Sequence, residues 1–455
     1  SAAWRISEEN FFKNSSISSW FSNLKLRASY GMMGDDNLGG LYPDFAYLSG
    51  YTYYKGQSLM PDDPFSSVKS KKVIGSAPKG IPVTTISWMK IKLMNVGIDF
   101  GFFDNRLTGE FDLFKRMRDG IPGTPSDIMF PLETGLSALP ENMNSDMTVG
   151  FDAFVKWNDK VGDLKYSVGA NITFARQKNG KRHGEIFGNA WDKYRWAQSN
   201  RWSNVVLNTD QGNAGGVWMW EVIGRFETQE QIDSYPVDQD GQNNATVRPG
   251  DVILRDVNGD GIINDFDERP QAYASADWPW DSSTSNKNPL ISMGINVGFE
   301  WKGFDVAADF AGGFKNTFVA DWDLKWGVTR SVNGYYYNNI DVWRHEDIFD
   351  PKSPWIPGKF PALRGQESHS GRWWNSFYTR EVNYLRLRNL VVGYSLPKNW
   401  IRKVGMEQCR IYFQGTNLFC LSSLHDYGFD PEISTVNGQD YPQHKVLTLG
   451  VNVKF

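Results

Sequence analysis

The sequence has little of what several large classes of protein need. Its 455 residues include two cysteines and five histidines, and the formal net charge is -4. No run of 18 consecutive apolar residues occurs, which excludes a membrane-spanning helix. No basic tract stands out, and this argues against nucleic acid as a partner. His345-Glu346-Asp347 is the one suggestive catalytic cluster, so the sequence gives little support to an enzyme.

The two cysteines exclude a disulfide framework. Cys409 and Cys420 fall on one predicted strand, which places them about 36 Å apart at about 3.3 Å per residue. The Cα atoms of a disulfide lie within about 7 Å of each other. We therefore expect both thiols to be free.

Aromatic residues and glycine, by contrast, are abundant, with 19 Trp and 44 Gly. The C-terminal segment, residues 445–455, has the clearest pattern in the chain. Its apolar side chains recur at every second position: Leu447, Leu449, Val451, Val453 and Phe455. A strict period of two predicts a β-strand with one apolar face.

The same alternation recurs along the chain and predicts ten full strands and one partial strand at residues 1–9, whose beginning we expect to lie outside this sequence. Phe, Ile, Val and Leu occupy one face, and Gly, Asn, Asp and Lys occupy the other. Such strands are inside-out for a soluble core, although a soluble all-β protein with exposed insertions is the alternative. Near Asn389 the apolar face switches, which predicts a β-bulge.

Short and long connections between the predicted strands follow each other in turn. We expect short turns at Asp104-Asn105, at residues 158–163 and at Lys302-Gly303, and long loops at 176–289 and 317–381. This asymmetry is typical of outer-membrane barrels, which have short periplasmic turns and long extracellular loops. The sequence therefore predicts an all-β protein, a transmembrane antiparallel β-barrel in a Gram-negative outer membrane.

Residues 256–267 have the spacing of a calcium-binding loop. Oxygen ligands are expected at its first, third, fifth, seventh and twelfth positions, and glycine stands at the sixth. The predicted ligands are Asp256, Asn258, Asp260, the Ile262 carbonyl and Asp267. Asp replaces the usual Glu at the last position, so that ligand is shorter. The alternative is a turn that only resembles such a loop. A bound Ca²⁺ would rigidify the long loop around it.

The two longest loops hold 13 of the 19 Trp residues, with Tyr and Arg among them. Aromatic rings beside hydrogen-bonding charges suit sugars, peptides or a partner surface, although large loops also need small cores of their own. The predicted contacts to substrate or to a partner lid are Trp191, Trp196, Trp218, Trp220, Trp343, Trp373, Trp374, Tyr378 and Arg380.

Several motifs in fixed order carry a family resemblance. They are AWRISEE at 3–9, LKLRASYG at 24–31, DVNGDG at 256–261, YLRLRNL at 384–390 followed by Gly393-Tyr394, GTNLF at 415–419 and DPE at 430–432. Together they resemble the SusC/RagA-like TonB-dependent transporters of Bacteroidetes.

The resemblance implies the C-terminal half of a 22-stranded plugged barrel. The plug domain and the TonB box of the family match nothing in this chain, so we expect them on residues outside it. It also implies a SusD-like surface lipoprotein as a lid, contact with the TonB complex, and active import of nutrient oligomers. Oligosaccharides are the first expectation for the cargo and oligopeptides the second. A passive porin or a surface barrel enzyme remains the alternative.

Overall fold

The architecture is taken from a computed structural model, which describes most of the chain. The described residues are 1–36, 47–55, 74–78, 81–123, 131, 139–180, 190–191, 194, 217–272, 289–319, 341–362, 375–425, 429–432, 441 and 443–455. Strands dominate this part of the chain. Helices are confined to single turns, and within the described residues none is long and apolar enough to cross a membrane.

The strands are numbered in chain order. They are β1 (Ala2–Arg5), β2 (Phe21–Asp35), β3 (Tyr51–Lys55), β4 (Ile74–Pro78), β5 (Met89–Phe102), β6 (Leu107–Gly123), β7 (Glu141–Val161), β8 (Leu164–Asn179), β9 (Val217–Met219), β10 (Val222–Arg225), β11 (Val252–Leu254), β12 (Arg269–Ala272), β13 (Ile291–Trp301), β14 (Phe304–Val319), β15 (Arg344–His345), β16 (Trp355–Ile356), β17 (Thr379–Ser395), β18 (Gln408–Ser422) and β19 (Val446–Lys454). The helical turns are Ile6–Glu8, Asn10–Lys13, Ser16–Ser19, Gln229–Asp233, Asp265–Asp267, Ser376–Tyr378, Lys398–Ile401 and Arg402–Val404.

One antiparallel sheet contains the long strands, in the order β1-β2-β5-β6-β7-β8-β13-β14-β17-β18-β19. These are the ten full strands and the partial strand that the alternation predicts. Each long strand pairs with its neighbours along the chain, as in an up-and-down barrel. The remaining strands form pairs within the connections. The structure thus confirms the predicted all-β fold with one large barrel-type sheet.

Apolar side chains continue across the sheet from strand to strand. Phe151 on β7 stands opposite Leu113 on β6 and Phe174 on β8. Its ring stacks on Phe174 with centroids 5.7 Å apart, and on Phe111 at 5.8 Å. Because paired residues of antiparallel strands share a face, the apolar sets of neighbouring strands merge into one surface. We call this surface the apolar face.

Ion pairs occupy the opposite face. Arg27 Nε donates to Asp99 at 2.7 Å, and Arg27 Nη2 reaches Asp112 on the second strand along at 2.8 Å. Gly97 lies between them, and a Cβ there would lie 2.2 Å from Asp112 Oδ1. Glycine at this position therefore leaves room for an ion pair that spans three strands. Along these strands, an ion-paired face that lies opposite an apolar one is the arrangement that a lumen and a lipid surface require.

The turns and the bulge agree only partly with expectation. Lys302 and Gly303 have φ of 47° and 89°, the left-handed pair of a two-residue hairpin, as predicted. The turn assigned to Asp104-Asn105 is wrong in length, because four residues separate Phe102 from Leu107. The turn assigned to 158–163 is also shorter than expected, since β7 continues to Val161. The register shift between Leu387 and Asn389 confirms the predicted bulge.

Candidate functional site

Segments of the two longest connections join into one structure above the sheet. We call residues 217–272, 341–362 and 375–378 the loop unit. The Ser376 N–H donates to the Trp220 carbonyl at 2.9 Å, and the Val222 N–H donates to Ser376 Oγ at 2.9 Å. Trp220 and Asn375 also form an isolated parallel bridge. Residues more than 150 positions apart are therefore held side by side.

Arg225 is the main polar link between the two loops. Its Nη1 donates to the Gly358 carbonyl at 2.8 Å, and its Nη2 donates to the Lys359 carbonyl. The guanidinium also lies 4.8 Å from the centroid of the Phe377 ring. The planar guanidinium thus serves two carbonyls and one aromatic face, which a lysine could not do.

A small apolar core stabilises the loop unit from within. Phe226, Ile232, Val247 and Ile253 are buried together, and Tyr235 packs against them. The Phe226 and Tyr235 rings meet edge-on at 5.1 Å. Burial raises the pKa of the Tyr235 hydroxyl. This core and the short strand pairs β10-β11 and β9-β12 together explain how a long connection holds a defined shape.

Trp343 fastens the second loop to this core. Its side chain is buried, and its Cγ lies 2.3 Å from where a Cβ on Gly250 would stand. Gly250 has φ of 91°, a conformation that favours glycine. The Trp343 N–H donates to the Phe360 carbonyl at 2.9 Å. Close approach of the indole to backbone is possible here because residue 250 has no side chain.

The predicted metal loop is compact and folded around its carboxylates. Oxygens of Asp256, Asp260 and Asp267 all lie within 4.8 Å of one another. Asp256 accepts from the N–H groups of Gly259 and Gly261 at 2.6 and 2.8 Å. Those two glycines have φ of 76° and 80°. The loop therefore converges three anionic side chains on one small volume.

Hydrogen bonds hold Asp260 and Asp267 in place. The Ile262 N–H and the Asn258 side-chain amide both donate to Asp260 and lower the pKa of its carboxyl. Asp267, which is fully buried, accepts from the N–H groups of Val257 and Asn264, each at 2.9 Å. Hard oxygen donors of this kind suit Ca²⁺, so the side chains present fit the predicted ion.

A second acidic turn braces the metal loop. Burial alone would raise the pKa of Asp240. Its carboxylate, however, accepts hydrogen bonds from the backbone and hydroxyl of Thr246 and from the backbone of Gln242 and Asn244. These bonds outweigh burial and lower the pKa of Asp240 well below its usual range. The Asp238 N–H donates to the Gly261 carbonyl at 2.9 Å, and the Ile263 N–H donates back to Asp238 at 3.0 Å. The two turns therefore form one rigid piece.

The predicted contact residues fall into three groups. The first group, Trp220, Arg380 and Trp343, stabilises the loop unit. Trp220 donates from Nε1 to the Asn264 carbonyl at 2.8 Å, and Arg380 donates to the Phe377 carbonyl at 2.7 Å. Trp191 stacks on Tyr194 at 5.3 Å and meets the ring of Phe266, a residue of the metal loop, edge-on. Their contact with substrate or lid stays a prediction.

The third group consists of predicted contact residues whose side chains lie outside the described part of the structure. The backbone of Trp218 pairs with Pro270, and Tyr378 ends the helical turn at 376–378, but the structure describes neither side chain. Trp196, Trp373 and Trp374 lie outside the described residues.

His345, from the suggestive cluster, is committed to a turn. Its Nδ1 lies 2.7 Å from the Ser353 carbonyl, and its ring lies 4.0 Å from that of Trp355. These contacts fit a residue that shapes a loop.

Sequence reasoning missed a buried charge cluster on the polar face. Arg386 on β17 is nearly inaccessible to solvent and lies 2.6 Å from both carboxylate oxygens of Asp430. Glu432 lies 3.1 Å from its Nε and also pairs with Arg388. The alternating LRLR run and the DPE motif lie more than 40 residues apart, and nothing in the sequence indicates that they meet.

Comparison with known proteins agrees with this geometry. The chain is 23% identical over 464 residues to the TonB-dependent receptor SusC of Bacteroides thetaiotaomicron, which covers 99% of this chain and 39% of SusC. It is 23% identical to the TonB-dependent receptor P39 of Formosa agariphila, over 99% of this chain and 42% of P39. The chain therefore spans about two fifths of the length of these curated relatives. No family model matches the sequence.

Solved structures show the same fold. The RagAB peptide importer in its open-open state covers 100% of this chain with a TM-score of 0.66 at 18% sequence identity. Its closed-closed state gives a TM-score of 0.62 at 19% identity. These relatives are receptors and transporters rather than enzymes. The comparisons confirm the predicted resemblance to the C-terminal half of SusC/RagA-like TonB-dependent receptors, and with it a β-barrel of the outer membrane.

Proposed function

We propose that this chain is the C-terminal barrel part of an outer-membrane importer of nutrient oligomers, in the first place oligosaccharides. TonB energises the importer through residues outside this chain, and a SusD-like surface lipoprotein closes over the long loops. The observation that carries the proposal is the match of nearly the whole chain to TonB-dependent receptors. Oligopeptides are the second cargo class, and the similar solved structures are of a peptide importer.

The loop unit suits capture of a ligand better than chemistry on it. Its Arg269 guanidinium lies 5.4 Å from the ring of Trp191, which packs on the loop unit and stacks on Tyr194, so aromatic rings and an arginine stand together on a braced frame. A binding site that releases its cargo needs stacking area and a few hydrogen bonds, and it needs no tuned acid or base.

Uptake by living cells tests this proposal. Cells that lack the full-length receptor should accumulate less of one labelled oligomer class, and the restored gene should recover its uptake. A protonophore should abolish the recovered uptake, because energy reaches TonB from the proton gradient. Labelled oligosaccharides and oligopeptides are supplied side by side to identify the cargo. Uptake that persists with the protonophore would indicate a passive porin, and substrate hydrolysis by purified receptor would indicate an enzyme.

We also propose that the 256–267 loop binds one structural Ca²⁺. Asp256, Asn258, Asp260, the Ile262 carbonyl and Asp267 supply its oxygens, at about 2.3 to 2.6 Å. The ion offsets the repulsion among three converging carboxylates and stiffens the loop unit. The hydrogen bonds that lower the pKa of the Asp260 carboxyl favour its carboxylate form, which is the form that binds a cation.

Chelation of calcium should expose the loop unit to proteases. We expect cleavage within residues 217–272 to accelerate at least several-fold when EDTA is added to the purified receptor, and to slow again when Ca²⁺ is restored. The double variant Asp256→Asn/Asp260→Asn should behave like the chelated protein under both conditions. Asp265→Asn is the matched control, because Asp265 is exposed in the same loop and outside the ligand set. A cleavage rate that stays the same when EDTA is added would contradict the proposal.

A further inference from the structure

An exposed apolar pair stands at the end of the second long loop. The short strands β15 and β16 pair antiparallel and carry the connection between them, residues 346–354, which we call the loop tip. Ile348 and Phe349 within it are 71% and 89% exposed. Two large apolar side chains exposed side by side in an ordered turn form a candidate contact for another molecule.

Hydrogen bonds fix the loop tip in shape. Ser353 Oγ accepts from the Asp347 N–H at 3.1 Å and donates toward the Asp347 and Asp350 carbonyls at 3.0 and 2.8 Å. The Phe349 N–H donates to Asp347 Oδ1 at 2.9 Å, and the Glu346 N–H donates to the Pro354 carbonyl at 2.8 Å. The exposed pair is therefore preorganised in one conformation, which reduces the conformational entropy lost on binding.

Hydrogen bonds also fix the residues on either side of the loop tip, at 341–343 and 358–360. The Phe360 N–H donates to the Asp341 carbonyl at 2.9 Å, beside the buried Trp343. Arg225 holds the carbonyls of Gly358 and Lys359 from the first long loop. The loop tip consequently projects from the braced loop unit, and a partner that binds it would contact a rigid surface.

Charge around the apolar pair selects the kind of partner. Glu346, Asp347 and Asp350 are exposed in the loop tip, against a single base, Lys352. Three carboxylates around an apolar anchor disfavour an anionic lipid surface and favour a protein whose pocket has a basic rim. An apolar centre with a polar rim is the usual composition of protein interfaces.

We propose that Ile348 and Phe349 insert into an apolar pocket, rimmed by Lys or Arg, on a folded protein that lies over the loop unit. The inference rests on the proposed function for the identity of this protein, which is then the SusD-like surface lipoprotein. The loop tip is its fixed point of attachment on the receptor, at a place the aromatic residues predicted from sequence do not include.

Affinity between the purified full-length receptor and the purified lipoprotein tests the inference. The double variant Ile348→Ser/Phe349→Ser should raise Kd about tenfold or more, because an aromatic anchor in a pocket dominates its interface. Ile223→Ser is the matched control, since Ile223 is also exposed on the loop unit, at 51%, and should leave Kd unchanged. Glu346→Lys should weaken binding more at low salt than at high salt, because it reverses an attractive charge.

The outcomes separate the inference from the proposed function. If the double variant binds the lipoprotein as tightly as wild type does, the loop tip is not the attachment point and the inference alone is wrong. If wild type and every variant fail to bind it, the proposed partnership itself is wrong. If the double variant loses affinity only for anionic lipid vesicles, the loop tip is a lipid contact, and the inference is again contradicted. Heat-modifiable migration confirms that each variant barrel is folded.

Discussion

Arg386→Ala should lower the free energy of unfolding by about 3 to 5 kcal/mol, since it removes the buried guanidinium that pairs with two partly buried carboxylates. The Arg386 side chain is 5% exposed and holds Asp430 at 2.6 Å and Glu432 at 3.1 Å. Those two acids belong to the connection between β18 and β19, so the variant should also release this segment from the polar face. Urea unfolding of the folded receptor in detergent measures the loss, and protease access near residue 430 reports the release.

Arg388→Ala is the matched control for this prediction. Arg388 pairs with the same Glu432, but its side chain is 39% exposed. Solvent screens such a pair, so its removal should cost no more than about 1 kcal/mol. Equal losses from the two variants would show that burial of Arg386 does not govern the strength of the cluster.

Phe151→Arg should destabilise the inserted barrel by about 2 to 4 kcal/mol, the range for a cation on the lipid side at mid-depth. Phe151 is stacked between Phe111 and Phe174 on the apolar face, so the variant also loses two ring contacts. Unfolding from lipid vesicles in urea measures the change. The expected result depends on the apolar face meeting lipid.

Asp152→Asn supplies the comparison on the opposite face. Asp152 is the next residue along β7 and stands opposite Asp112 and Thr173. The change keeps the side-chain size and removes one charge from a polar surface, so its cost should be much smaller than that of Phe151→Arg. A reversed order of the two costs would mean that the faces of β7 are assigned the wrong way round.

The main sheet could be predicted from the sequence because its signal is local and repeated. A one-residue slip would turn every apolar side chain of a strand to the other face, so the alternation alone sets which residues share a face. The bulge at Asn389 was visible for the same reason. The length of the turn after Phe102 could not be predicted in this way. Phe103 there has φ of 53°, a conformation that an aromatic residue rarely adopts and that no sequence pattern indicates.

In the candidate site, too, local features could be predicted from the sequence and contacts between distant residues could not. The metal loop was recognisable because its ligands lie within twelve residues and their spacing is fixed by coordination. The joining of the long loops was not, because Arg225 meets Gly358 across 133 positions. Trp343 appeared as a candidate contact residue, whereas its burial against Gly250 depends on a partner segment that no local pattern identifies. The exposure of Phe349 is likewise a property of the folded loop.

Spin labels at adjacent positions along β7, β8 and β13 test the membrane account most directly. Cys409 and Cys420 are free and would first be replaced by Ser. With the full-length receptor in lipid bilayers, labels at Phe151, Ile172 and Val297 should relax mainly by contact with oxygen, which concentrates in lipid. Labels at the neighbouring Asp152, Thr173 and Asn296 should relax mainly by contact with a water-soluble nickel complex. Equal access of the nickel complex to both sets would contradict a lipid-facing apolar surface and, with it, the outer-membrane barrel.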